Sequence, residues 1–250
     1  MNGIDLKNVK NTISNLANED DTKFHNWFDP TDSIDETLVR GNWDFSFHIL
    51  KDKVCEYINN PHEKNVLEIG YGGGRLLNAA CNFFNSATGI DIHDNSSKVA
   101  DFIKSNGNNN FKLIKTDGHS IDLESNSIDL VYSFIVLCHM DSIDKIKSYI
   151  NESFRVVKSG GLAQLYYLSF RYNRRLGYKN LLNGFHVSFP NEKNNQWTGL
   201  PMCRIHDYYM KKLVEKAGFK IIELGKAYRK VPDGYPNNMG MQNYLTLLKK

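Results

Sequence analysis

The sequence predicts an α/β fold: a Rossmann-like, seven-stranded, mostly parallel sheet with helices on both faces, a helical N-terminal extension and a lid insertion. Three observations predict it. From residue 65 onward, short apolar runs alternate with amphipathic stretches, the pattern of a parallel sheet covered by helices. A glycine-rich turn, Gly70 to Gly74, closes the first apolar run and opens a helical stretch. Residues 1 to about 60 hold no strand-like run, while Leu38, Trp43, Phe45, Phe47, Ile49, Leu50, Val54 and Tyr57 recur at helical spacings.

Taken in order, Val66 to Ile69 reads as a strand, Arg75 to Phe84 as a helix, Ala87 to Asp91 as a strand, Ser96 to Ser105 as a helix and Phe111 to Ile114 as a strand. Ile128 to Val136 is a largely apolar run suited to a strand buried on both faces. A helix over 142–157 and a strand from Leu162 to Leu168 follow. Residues 171–203 break the rhythm with Gly177, Gly184, Pro190, Gly199 and Pro201 and read as a lid insertion. The alternation resumes with a helix over 205–217, closed by Gly218, and strands at Phe219 to Leu224 and Gln242 to Leu248. Residues 1–60 are thus expected to form a helical cover and residues 61–250 one ligand-binding domain.

Composition excludes more than it selects. With 250 residues, 41% hydrophobic and 24% charged, the chain is neither collagen-like nor disordered. The 29 asparagines against 8 alanines, with a mean hydropathy of −0.47, read as genomic codon bias and not as chemistry. A net charge of +3 is too mild for a dedicated nucleic-acid binder. The acidic stretch over 19–36 reads as a solvated face. Cys55, Cys81, Cys138 and Cys203 form no C-x-x-C pair, so reduced thiols are expected, without a zinc or redox site. No signal-peptide pattern or membrane-length apolar run is present, and a cytoplasmic protein is expected.

The strongest signal is Val66-Leu67-Glu68-Ile69-Gly70-Tyr71-Gly72-Gly73-Gly74-Arg75. Glycines allow a tight turn and a close approach of backbone to ligand. A dinucleotide fingerprint would need Gly or Ala where Arg75 stands. Glu68, two residues before the first glycine, suits a ligand carrying an ammonium group and not a pyrophosphate.

At these residues the sequence resembles the class I S-adenosylmethionine-dependent methyltransferases, in particular the small-molecule group that includes ubiquinone and menaquinone biosynthesis enzymes. The resemblance spans about residues 60 to 225 in ordered pieces. It joins the acidic-x-G-x-G-x-G turn (Glu68, Gly70, Gly72, Gly74) to Asp91 in Thr88-Gly89-Ile90-Asp91-Ile92, to Asp117-Gly118-His119, to Asp129 in Ile128-Asp129-Leu130-Val131-Tyr132-Ser133, and to Lys158-Ser159-Gly160-Gly161. It implies S-adenosyl-L-methionine as cofactor. It also implies that Glu68, Gly70, Tyr71, Gly72 and Gly74 form the turn, that Asp91 holds the ribose hydroxyls, and that Ile92 packs on adenine. Asp117 with the Gly118 and His119 backbone would read the adenine edge, and Ser133 and Phe134 would face the cofactor from the fourth strand. Asp129 reads as a strand-start residue.

The acceptor is approached by exclusion. Ser133-Phe134-Ile135-Val136 replaces the Asn/Asp-Pro-Pro-aromatic signature of nucleobase amine methylation. Cys138-His139-Met140-Asp141 offers neither the two glutamates of protein arginine enzymes nor the acidic cluster of metal-dependent catechol enzymes. His139, after the fourth strand, is the base candidate, since imidazole titrates near neutrality; packing or capping the next helix is its other reading. His186, within the insertion, and His206, just after it, are the other base candidates, with a structural role as their other reading. With Trp43, Trp197, Tyr178, Phe185 and Phe189 they are assigned to the acceptor lid. Arg171, Arg174, Arg175 and Lys179 could hold an anionic acceptor or form a solvated basic loop. The expected partner is therefore a small molecule, methylated at oxygen, with no nucleic acid and no membrane. Two alternatives stay open: an NAD(P)-dependent oxidoreductase or epimerase, and a non-catalytic homologue that binds the cofactor.

Overall fold

The computed structural model describes residues 6–28, 31–169, 184–188, 200–227 and 242–250. Strands β1 (Asn65–Ile69), β2 (Ser86–Asp91), β3 (Phe111–Lys115), β4 (Ile128–Ser133) and β5 (Val157–Ser169) run parallel in the order β3-β2-β1-β4-β5. Helices α5 (Arg75–Cys81), α6 (Ser96–Ser105) and α7 (Ile143–Val156) connect them. All six residues of β4 are buried, as a central strand covered on both faces requires.

Beyond β5 the sheet becomes mixed. β9 (Gln242–Leu248) lies antiparallel between β5 and β8 (Lys220–Lys226), after helix α8 (Asp207–Lys216). A hairpin of β6 (Phe185–Ser188) and β7 (Met202–Ile205) attaches through β7 to Leu168 and Ser169. The expectation of seven strands is therefore corrected to nine among the described residues. The two additional strands fall in or beside the segment read as a lid. Each is four residues long, too short for alternation to register against the surrounding Gly and Pro. The run expected as strand to Val136 stops at Ser133 because Ile135 adopts φ +59°, the left-handed region, a rare conformation for a β-branched residue.

Alternation along the strands divides the core. Val66, Leu130, Tyr132, Leu162 and Tyr166 pack with α5, α6 and the N-terminal helices. Leu67, Ile69, Val131, Ala163 and Leu165 pack with α7 and α8.

The N-terminal residues form α1 (Leu6–Glu19), α2 (Asp21–Phe28), α3 (Ile34–Asp44), one π-helical turn (Phe45–Ile49) and α4 (Asp52–Tyr57). The Ser33 hydroxyl accepts from the Glu36 N–H at 3.1 Å and Glu36 accepts from the Asp32 N–H at 2.7 Å, a reciprocal cap that starts α3. Gly41 lets α3 cross α5 closely, for a Cβ there would sit 2.5 Å from the Arg75 carbonyl oxygen. Asp44 and Arg75 close that crossing with a 2.7 Å salt bridge that is largely buried. The acidic stretch is more than a solvated face. Glu19, Asp20, Asp21, Asp32 and Asp35 are exposed, but Phe24 and His25 between them are buried, with His25 packed against the glycine turn and α6. No described helix is long and apolar enough to cross a membrane.

Candidate active site

The carboxyl ends of β1, β2 and β4 open into a crevice of two lobes that share Trp27, Phe28, Gly70, Gly72, Val136 and His139 as walls. The larger lobe, about 430 Å³, is bounded by Glu68, the glycine turn, Arg75, Phe134 and Met202. The smaller, about 220 Å³, is bounded by Asp91, Ile92, Asp117, Gly118 and Tyr149.

The turn between the lobes is built for close approach. Gly70 has φ +78°, and a Cβ there would stand 2.4 Å from Val136 Cγ2. A Cβ on Gly72 would meet the Phe28 ring at 2.8 Å. Gly74, at φ +85°, serves packing instead, since its Cβ would strike Val99 of α6 at 2.5 Å. His93, which the sequence did not single out, braces the turn. Its Nδ1 accepts the Asn95 N–H at 3.1 Å, so the proton lies on Nε2, 3.0 Å from the Gly72 carbonyl that accepts it. Tyr71 packs edge-on against this ring.

Three carboxylates mark the crevice. Asp91 Oδ2 accepts the Gly72 N–H at 2.9 Å and Oδ1 accepts the Ile92 N–H at 2.6 Å. Oδ1 also accepts the His93 N–H at 3.4 Å, and Oδ2 keeps a lone pair for a further donor. Asp117 Oδ1 accepts the His119 and Ser120 N–H groups, both at 2.8 Å, and these bonds lower its carboxyl to about 2. The expected His119 N–H is thereby committed to Asp117, and the His119 side chain is exposed. Glu68 is 3% exposed. Burial pushes it up to about 8, although the Tyr132 hydroxyl donates to it at 3.0 Å and Arg75 favours its charge.

His139 occupies a single 3₁₀ turn after β4 and borders both lobes. Its Nδ1 lies 3.3 Å from the Pro201 carbonyl. That contact places a proton on Nδ1 and leaves Nε2 as the acceptor in the neutral ring. Burial pulls the imidazole down, but Cys138 beside it and the Pro201 carbonyl outweigh burial and leave it above its ordinary value.

Other expected residues lie elsewhere. Ser133 is fully buried and borders neither lobe, because alternation sends it to the face opposite Tyr132 and Phe134. Trp43 packs against Phe47 outside the crevice. His186 pairs with Arg204 in the β6–β7 hairpin, and His206 caps α8 by accepting the Tyr208 N–H at 3.2 Å. Neither lines a lobe. Trp197, Tyr178, Phe189, Arg171, Arg174, Arg175 and Lys179 lie outside the described residues. Asp129 holds β1 to β5, accepting from the Asn65 N–H at 2.9 Å and from Lys158 at 2.7 Å. The walls that sequence reasoning missed come from α2, as His25, Trp27 and Phe28, and from the start of β7 and the chain leading into it, as Met202 and Leu200. The Trp27-Phe28 pair within an acidic stretch was the available signal.

Residues 67–165 match a methyltransferase domain family. The match runs from Leu67 in β1 to Leu165 in β5 and takes in the glycine turn, Asp91 and Asp117. The ubiquinone biosynthesis O-methyltransferase of Nitrosomonas europaea is 28% identical to it over 141 residues, 55% of each chain. The chain thus spans about half the length of that curated relative. Solved structures of S-adenosylmethionine-dependent methyltransferases share the fold. The protein from Methanosarcina mazei is 17% identical, over 80% of this chain and 97% of that one, with a TM-score of 0.59. The one from Clostridium acetobutylicum is 14% identical, over 87% and 97%, with a TM-score of 0.60. The methyltransferase cofactor fits this crevice by chemistry. Glycines let the turn lie directly against Val136 and Phe28 at the cavity wall, Asp91 Oδ2 keeps a lone pair for a hydroxyl donor, and Glu68 offers an acid to an ammonium group.

Proposed function

We propose that the methyltransferase domain transfers a methyl group from S-adenosylmethionine to an oxygen of a small-molecule acceptor. Bound in the crevice, the cofactor supplies an electrophilic methyl on a sulfonium. The chain's own residues position and deprotonate. Asp91 and the Asp117–Gly118 turn hold the nucleoside in the smaller lobe, while Glu68 receives the amino-acid end in the larger one. Residues 1–60 act as a cover, with Trp27 and Phe28 excluding water and, with Leu200 and Met202, shaping the acceptor wall. His139 Nε2 accepts the acceptor's hydroxyl proton as the oxygen–carbon bond forms and the carbon–sulfur bond breaks.

The observation that carries this reading is the His139 ring, which borders both lobes and has its Nδ1 proton committed to Pro201. The printed name of the Nitrosomonas relative, an O-methyltransferase, supports an oxygen acceptor. The test is formation of S-adenosylhomocysteine with a panel of phenols and hydroxy acids. His139→Ala is expected to lower kcat by about 10²–10⁴-fold, the usual share of a general base, with the cofactor Kd unchanged. An absence of cofactor binding by calorimetry would defeat the reading, and transfer unaffected by His139→Ala would remove the base from it.

A further inference from the structure

Helix α2 sets one polar atom against the glycine turn, at the wall of the larger lobe, that no described hydrogen bond uses. His25 is 3% exposed, and its Nδ1 has no hydrogen-bond partner among the described residues. The ring lies directly over the glycine turn, since a Cβ on Gly73 would be 2.8 Å from Nδ1. Buried side-chain nitrogens are nearly always paired in a folded protein. One that lines a cavity and has no partner is therefore a place where a ligand atom completes the structure.

The surroundings specify that atom. Burial holds the imidazole down to about 4, with Asp21 opposing and Lys98 assisting, so the ring is neutral near pH 7. With its proton on Nδ1 it donates, and a carboxylate is the acceptor that gains most from a buried donor. The same lobe holds Glu68, which suits an ammonium, and Arg75, whose charge favours an anion. An α-amino acid head carries both groups on one carbon. We propose that His25 is a cofactor-binding residue, donating from Nδ1 to the carboxylate of the cofactor's amino-acid end while Glu68 faces its ammonium. The inference rests on the cofactor reading above and is independent of the acceptor.

Calorimetry on the full chain tests it with S-adenosylhomocysteine and with its analogue lacking only the carboxylate, 5′-deoxy-5′-(3-aminopropylthio)adenosine. His25→Ala is expected to weaken S-adenosylhomocysteine by about tenfold to a hundredfold, the worth of one charge-assisted hydrogen bond. Affinity for the analogue should stay within about twofold. His25→Asn, whose side-chain amide sits near the position of Nδ1, should restore most of the loss. Equal weakening of both ligands, or of neither, overturns the proposal and makes His25 a packing residue. On the unaltered protein, the ¹⁵N resonance of His25 Nδ1 should move on adding S-adenosylhomocysteine and stay put on adding the analogue. The same response to both also overturns it. A wild-type chain that binds neither ligand fails at the cofactor reading instead.

Discussion

The two walls of the crevice are made by different means. On the β2–β3 side, Asp91 and Asp117 are each fixed by backbone N–H groups within three residues, with Gly72 as one distant addition. On the opposite side, the wall consists of His25, Trp27, Phe28, Leu200 and Met202, delivered by segments far apart in sequence and held by packing. A carboxylate locked by its own turn keeps its position whatever covers it. An aromatic wall depends on every helix beneath it.

The largest effect is expected where the walls meet. Gly70→Ala places a side chain at φ +78° and against Val136. The left-handed backbone costs about 1–2 kcal/mol and overpacking about 1–3 kcal/mol. Chemical denaturation should therefore show a loss of about 2–5 kcal/mol, together with lost cofactor binding. A full-affinity, fully stable Gly70→Ala protein would mean that the walls do not meet there.

Glu68 gives the next effect, and it has a sign. The folded protein keeps the proton to about 8, whereas the unfolded chain releases it near 4.5. Its stability contribution is therefore greatest below pH 4.5 and is lost as pH rises toward 8. Glu68→Gln, uncharged at every pH, should be more stable than wild type at pH 8 by up to a few kcal/mol and similar to it below pH 4.5. Cofactor affinity runs the other way: in the wild type it should rise from pH 6 to 8 as the acid ionises against the ammonium, and in Glu68→Gln it should lose that slope. Melting and calorimetry at three pH values check both.

The smallest effect separates two tryptophans. Trp27→Ala should raise the acceptor KM about tenfold through lost apolar contact. Trp43→Ala, outside the crevice, should change KM and cofactor Kd by less than about twofold. Equal effects would erase the distinction between the wall and the outer helix face.

This contrast also explains what the sequence could show. Glu68, the glycine turn, Asp91 and Asp117 are legible because each acts within a few residues of a strand end, so spacing alone exposes them. His25, Trp27 and Phe28 are not, because apolar periodicity on a helix looks the same whether the helix faces a core or a cavity. Ser133 shows the converse error. It is the last residue of β4, and a one-residue difference in a strand reverses the face. The β6–β7 hairpin escaped because four-residue strands carry too few alternations, and the end of β4 was misplaced because nothing in Ile135 announces a left-handed backbone.

The placement of β9 between β5 and β8 bears on how the protein is made. During synthesis β8 emerges before the strand that binds it, and the edge of β5 from Leu162 to Leu168 waits for the same partner. Pairings that span so much chain form slowly. Until Leu248 has left the ribosome, that open edge presents unpaired N–H and C=O groups to any neighbouring strand. The nascent chain is therefore most exposed to aggregation on the side of the sheet away from its cofactor turn, and a chaperone would have to guard that side.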